Sequence, residues 1–296
     1  MKRSAINIGF FLNLVALILL VSGSTLSAHS KTSSLLWKIS GNNLKKPSYL
    51  YGTVHSYDKR AFTFKSLVIP YIKQCKAFGM EIKLDELDPF SLLGKLQMRG
   101  DTTLRMLISP DDYAKLERMM RDSFSVELSM FSSVKPMFLM GVMQTTGTES
   151  DYSDFLDEFL MKRAKESHKE LIGIETIAEQ LGAIDIIPLQ EQAKMLLDET
   201  LYPDTTAEPL EDLLDVYKNG DLDSLYSFYK HGELSNTFNK ALILDRNHRM
   251  ADRIDSIAQR KTIFVAVGAL HLPGIEGVIN LLRAKGYDVT PIWKKK

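Results

Sequence analysis

Cysteine occurs once in the 296 residues, at Cys75. A single thiol excludes an intramolecular disulfide and every cysteine-rich metal site; Cys75 itself reads as a small core residue near a strand. Neither sign of charge is in excess, since 37 lysines and arginines face 37 aspartates and glutamates. With no global field to draw the chain toward nucleic acid or an anionic membrane, no nucleic-acid partner is expected. His-Glu-x-x-His, Gly-x-Ser-x-Gly and the Walker phosphate loop are all absent, which removes the helix-borne zinc protease, the serine hydrolase elbow and the P-loop nucleotide site. The apolar run from Ile8 to Val21 is shorter than the ~20 residues a membrane-spanning helix needs. Lys2 and Arg3 precede it and the small residues Ser22 to Ala28 follow, so residues 1–28 read as an export signal cut after Ala28. Leu26 is a poor residue three positions before that cut, so an uncleaved segment anchoring the chain to a membrane is the alternative. No cysteine follows the run for lipid attachment. The expected location is outside the cytoplasm, periplasmic or secreted.

What is present is a 45% hydrophobic chain, enough for one sizeable core or two small ones. Leu36 to Ser40 alternates as a strand does, Gly41-Asn42-Asn43 supplies a turn, and Tyr49 to Val54 follows as a second strand, so a hairpin is expected. That second strand ends in Gly52-x-x-His55. Far downstream the same design recurs, where Thr262 to Val267 runs into Gly268-x-x-His271. Two more apolar strands carry a carboxylate: Ala77 to Ile82 contains Glu81, and Leu171 to Ile174 runs into Glu175 just before the Thr176-x-x-Glu179 capping box.

Between these strands the pattern is helical. Ser109-Pro110-Asp111-Asp112 is a start signal, and Tyr152, Phe155, Leu156, Phe159 and Leu160 recur at helical spacing. Met130, Met137, Met140 and Met143 read as core filler or, alternatively, as the lining of a pliable peptide groove. Pro188 to Leu201, Leu210 to Lys218, Leu222 to Lys230 and Phe238 to Gln259 read as further helices. The expected fold is α/β, a mixed and largely parallel sheet in a single domain over residues 29–296, with a helical insertion at about 88–168 that would roof the strand ends.

A parallel sheet aligns the ends of its strands, so His55, Glu81, Glu175 and His271 are expected along one edge. Two imidazoles and one or two carboxylates suit a divalent metal with an open position for water. His55, Glu81 and His271 are assigned as ligands and Glu175 as the base, with the two glutamates able to exchange roles. His168, His231 and His248 lie in charged helical surroundings and read as solvated. Asp245 and Arg249 have the spacing of a surface ion pair, which turns Arg246 elsewhere.

These residues resemble a known family. Leu50-Tyr51-Gly52-Thr53-Val54-His55, Gly173-Ile174-Glu175-Thr176 with Gln180, Arg246-Asn247 with Met250-Ala251, and Val267-Gly268-Ala269-Leu270-His271-Leu272-Pro273-Gly274 together resemble the TraB/PrgY/GumN family, in its order and over almost the whole chain. That family looks related to the Tiki metalloproteases, and more widely to erythromycin esterases and a haem-binding iron-uptake protein. The resemblance implies a peptidase dependent on manganese, cobalt or zinc, with His55 and His271 as the motif histidines. Glu81 best matches the glutamate that follows the first motif, and Glu175, Arg246 and Asn247 match signature positions and are assigned to catalysis. Leu270 and the Met80-Glu81-Ile82-Lys83 setting depart from the family's habit, and membership alone does not fix a reaction. The expected function is a metal-dependent hydrolase of peptides or small molecules. The alternative is a protein that binds or sequesters a peptide signal or a haem-like ligand without turnover.

Overall fold

Short runs rich in branched and aromatic residues form the strands of a six-stranded mixed sheet. The computed structural model describes residues 21–22, 34–83, 94–145, 151–202, 207–208, 210–231 and 235–293; apart from Val21 and Ser22, the export segment lies outside them. The described residues form two compact units. One draws on 34–83, 151–177 and 210–293, the other on 94–145 and 178–202.

In the first unit, β1 (Leu36–Gly41) and β2 (Ser48–Thr53) pair antiparallel with Leu36 opposite Tyr51. The turn between them takes Gly41, Asn42 and Asn43 through positive φ, as the expected hairpin requires. Helix α1 (Lys65–Gln74) leads into β3 (Ala77–Ile82). In the second unit, α2 (Pro110–Phe124) starts as its sequence signals, with Ser109 capping the Asp112 amide and Pro110 in the first turn. Helix α3 (Pro136–Thr145) buries Met137, Met140 and Met143, whereas Met130 is exposed. The first three therefore fill a core.

Returning to the first unit, α4 (Leu156–Glu166) precedes β4 (Glu170–Glu175) and buries Leu156, Leu160 and Ala164 in the core of the sheet unit. Helix α5 (Ile177–Asp185) begins two residues after β4, and α6 (Leu189–Thr200) belongs to the second unit. Helices α7 (Leu210–Asn219) and α8 (Leu222–His231) return to the sheet unit. The segment expected as one helix from Phe238 to Gln259 is helical from Asn236 to Ala258, passing through a π-helical stretch at Lys240–Leu244 before α9 (Asp245–Ala258). β5 (Ile263–Gly268), α10 (Val278–Ala284) and β6 (Tyr287–Ile292) complete the unit.

The six strands lie in the order β4-β3-β5-β2-β1-β6. β4, β3, β5 and β2 are mutually parallel, while β1 runs antiparallel to both β2 and β6. All residues of β2 and β5 are buried, as expected of central parallel strands covered on both faces, whereas edge strand β6 alternates buried and exposed over its first four positions. Register sets the alignment of the strand ends: Thr53 sits opposite Gly268, and Ile82 opposite Glu175.

Candidate functional site

Beyond this shared edge, all in the sheet unit, stand the residues that the sequence singles out. His55 follows the end of β2, and His271 closes a 3-10 turn, Ala269–His271, that leaves β5 directly. A Cβ on Gly52 would stand 2.9 Å from the Ala269 Cα. Only glycine allows the turn bearing His271 to rest against the strand that leads to His55. The end of β2 is also fastened, because the buried Tyr217 hydroxyl donates to the Gly52 carbonyl at 2.8 Å.

Each histidine is held through Nδ1 by a side chain from a different helix. His55 Nδ1 lies 2.7 Å from Asp157 Oδ2, and the other Asp157 oxygen accepts from the Thr53 hydroxyl at 2.5 Å. The contact between His55 and Asp157 is short but not aligned as a hydrogen bond; a proton on the Nδ1 that faces the carboxylate, which can only accept, would leave the Nε2 lone pair free. His271 Nδ1 lies 2.6 Å from Asn247 Oδ1. The Asn247 amide is oriented by its own nitrogen, which donates to the Glu276 carbonyl at 2.8 Å; its oxygen therefore faces the ring, and His271 too presents a bare Nε2. Asp157 was not among the residues expected from sequence. It stands in the first turn of α4, where an acid is ordinary.

The carboxylates are organised by Arg246, whose side chain is fully buried. It donates through Nη2 to Glu81 Oε2 at 2.7 Å, and through Nε and Nη2 to Glu175 Oε2 at 2.9 and 2.7 Å. It also reaches back to the Leu242 carbonyl in the π-helical stretch at 3.3 Å. π-bulges often mark functional sites. The surface pair expected between Asp245 and Arg249 gives way to other partners: Asp245 takes Lys240 at 2.6 Å, while Arg249 turns inward to Glu175 Oε1 at 3.4 Å. Glu175 is thus enclosed by two guanidinium groups. Glu81 is the carboxylate that faces the histidines, with Oε1 accepting from the Gly268 amide at 2.7 Å and lying 3.9 Å from His271 Nε2.

Burial and charge act differently on these groups. Burial would raise the Glu81 carboxyl, but Arg246, His271, His55 and the Gly268 amide outweigh it and hold Glu81 well below the usual carboxylate range. Burial, followed by the charge of Arg246, drives His271 down to about 3 against the pull of Glu81. Burial also works against a proton on His55, yet Asp157 and Glu81 overcome it and His55 is raised. Arg246 is raised by the same two glutamates against its own burial.

Donor chemistry is the test of fit for a metal. Two imidazoles and a carboxylate form the two-histidine, one-carboxylate set that open divalent sites use, and an oxygen beside each Nδ1 is the usual outer shell of a metal-binding histidine. Neighbouring ligands at ~2.1 Å from one tetrahedral ion stand roughly 3.4 Å apart, a few tenths of an ångström less than the 3.9 Å between Glu81 and His271. Among the described residues, no three histidine, cysteine, aspartate or glutamate side chains are already gathered tightly enough to hold an ion. The residues fit the group in kind.

A largely parallel α/β sheet with two histidines and a glutamate at its carboxyl edge, backed by a buried arginine, defines the class of the protein. Residues 35–291 match the TraB/PrgY/gumN family, to which the chain belongs. It is similar to Metalloprotease TIKI1 of Danio rerio, 25% identical over 326 residues, covering 90% of this chain and 64% of the relative. Metalloprotease TIKI2 of Danio rerio is 25% identical over 320 residues, covering 87% and 60%. The Metalloprotease TIKI homolog of Nematostella vectensis is 24% identical over 323 residues, covering 87% and 66%. The chain thus spans less than two thirds of the length of these relatives. No solved structure matches it.

Proposed function

We propose that the chain is a divalent-metal-dependent hydrolase that cleaves peptides outside the cytoplasm. One observation carries the reading: Asp157 and Asn247 stand at Nδ1 of His55 and His271, which turns Nε2 of each ring away from them, and Glu81 Oε1 lies 3.9 Å from His271 Nε2. His55, His271 and Glu81 would hold the metal, with manganese, cobalt and zinc as candidates. When bound, such a metal acidifies water and polarises a carbonyl. Relatives named metalloproteases support the hydrolase class.

The chain's own residues do the rest. Arg246 keeps Glu81 ionised and fixes its second oxygen, so Glu81 is available at neutral pH without a proton to lose. Glu175, enclosed by Arg246 and Arg249 with its side chain fully buried, has no opening toward water and serves to position Arg246; in this reading it gives up the base role. Asn247 and Asp157 orient the two rings. Of the four methionines that suggested the binding-protein alternative, Met137, Met140 and Met143 are buried and Met130 is exposed. Export follows from the N-terminal pattern, and no helix among the described residues is long and apolar enough to cross a membrane.

The test is metal content by mass spectrometry, together with cleavage of unstructured peptides, after loading with manganese, cobalt or zinc. About one bound ion and metal-dependent cleavage are expected, with both lost in His55→Ala, His271→Ala and Glu81→Gln. Equal metal content in the wild type and the two histidine variants would sink the reading.

A further inference from the structure

Beside the histidine site, in the same unit, a cavity of about 170 Å³ opens between α8, the stretch Asn236 to Leu244 and the loop that follows His271. Asn247 is shared between the two: its amide oxygen holds His271, and its surface lines the cavity. Pro273, Glu276 and Gly277, from the loop just past the second histidine motif, form another wall. A cavity of ~150 Å³ accommodates a molecule the size of benzene. This one therefore has room for a single side chain, one asparagine away from the histidine.

Its chemistry is one-sided. Glu276, an exposed residue whose backbone carbonyl accepts from Asn247, is the acidic residue of the lining, and no lysine, arginine or histidine is among the described lining residues. Tyr226 and Tyr229 stack with ring centroids 5.9 Å apart and planes at 25°, and their electron-rich faces attract a cation. Lys240 and Arg246, next in sequence to the lining residues Asn239 and Asn247, are already engaged, Lys240 by Asp245 and Arg246 by Glu81 and Glu175.

We infer that this cavity receives the lysine or arginine side chain of a peptide, placing a basic residue beside the bond presented to the histidine site. The inference rests on the peptidase reading, and it names the substrate class for that site. Peptides identical except for one central residue, Lys, Arg, Phe, Ala or Glu, would be offered to the manganese-loaded full chain and kcat/KM compared. Lysine and arginine peptides are expected to exceed the alanine peptide by about tenfold, the scale of one charge-assisted contact. Glu276→Gln should reduce that ratio to within about twofold of unity, and Glu276→Lys should turn it toward the glutamate peptide. A preference for phenylalanine that survives Glu276→Gln, or rates independent of the central residue, would overturn the inference.

A second arm separates this inference from the peptidase reading. Binding of fluorescent lysine and alanine peptides to chelator-treated protein is followed by anisotropy. If nothing is cleaved, the peptidase reading fails. Tighter binding of the lysine peptide that Glu276→Gln removes would still support the cavity assignment, whereas equal binding of the two peptides would remove it.

Discussion

His55 and His271 enter the same edge from the same kind of strand, yet one gains affinity for a proton and the other loses it. The difference lies in what holds Nδ1. Asp157 brings a charge to His55, whereas Asn247 brings only an amide dipole to His271, which is left to burial and the field of Arg246. The lesson is that a strand ending in Gly-x-x-His sets the location of a ring and leaves its chemistry to helices elsewhere in the chain. Asp157 favours a proton on the one ring, while burial and Arg246 disfavour one on the other.

The largest expected effect comes from erasing the source of the asymmetry. Arg246→Met leaves two carboxylates near one another and buried without their shared cation. Removing one partner of a buried ion pair costs about 3–5 kcal/mol, so the urea midpoint should drop sharply. His271 should also regain affinity for a proton, which its ring NMR signals would report. A variant as stable as the wild type would show that the Glu81-Arg246-Glu175 cluster does not hold the edge together.

The two halves can also be made alike. Asp157→Asn gives His55 an amide partner like that of His271, and outer-shell changes of this kind typically cost 10–100-fold in metal affinity or activity. Calorimetric titration with manganese should show a loss in that range and a lowered His55 pKa, with the protein still folded. An unchanged affinity would reduce Asp157 to a packing residue. Gly52→Ala attacks what both halves share, the contact between β2 and the turn of His271. Its Cβ meets backbone at 2.9 Å, and overpacking costs about 1–3 kcal/mol.

Much of this was legible in sequence and some was not, for physical reasons. The parallel strands and their carboxyl-edge residues were readable because Gly52, Glu81, Glu175 and Gly268 end or interrupt apolar runs of strand length. Asp157 was not, since an acid in the first turn of a helix is common and its pairing with His55 spans most of the first half of the chain. Arg246 and Asn247 stood out only through family likeness. The spacing of Asp245 and Arg249 matches that of countless surface pairs, and nothing local in sequence announces the π-helical stretch that precedes a fully buried guanidinium. The first signature of α9 is a charged run, yet its inward face carries the arginine on which both glutamates converge.

Acid and alkali should separate the halves in chelator-treated protein. A histidine is protonated in the unfolded chain below about pH 6.5. Folded His271 refuses that proton until about pH 3, so the unfolded state binds more protons across this window and stability falls as pH falls from 6.5. The limiting slope is about 1.4 kcal/mol per pH unit for one proton. Folded His55 behaves oppositely: its raised pKa contributes stability that is fully present below 6.5 and is lost as pH rises through the folded value. Urea midpoints from pH 4 to 8.5 should therefore show His271→Gln flattening the acid limb and His55→Gln flattening the alkaline one. The same limb responding to both variants would contradict the division of labour.

The smallest effect tests how firmly β2 is pinned before His55. Tyr217→Phe removes the hydroxyl that donates to the Gly52 carbonyl and that lies 2.9 Å from the Tyr51 hydroxyl, a loss of about 1 kcal/mol for each of these two buried hydrogen bonds. Because Gly52 is also where the His271 turn leans, the variant should lower thermal stability slightly and perturb both histidine rings in NMR spectra. If only His55 responds, the contact between Gly52 and Ala269 does not couple the halves, and the two histidines are tuned independently by Asp157 and Asn247. A response in both would instead mean that the strand end is the mechanical link, with glycine at position 52 setting the spacing between the two differently tuned rings.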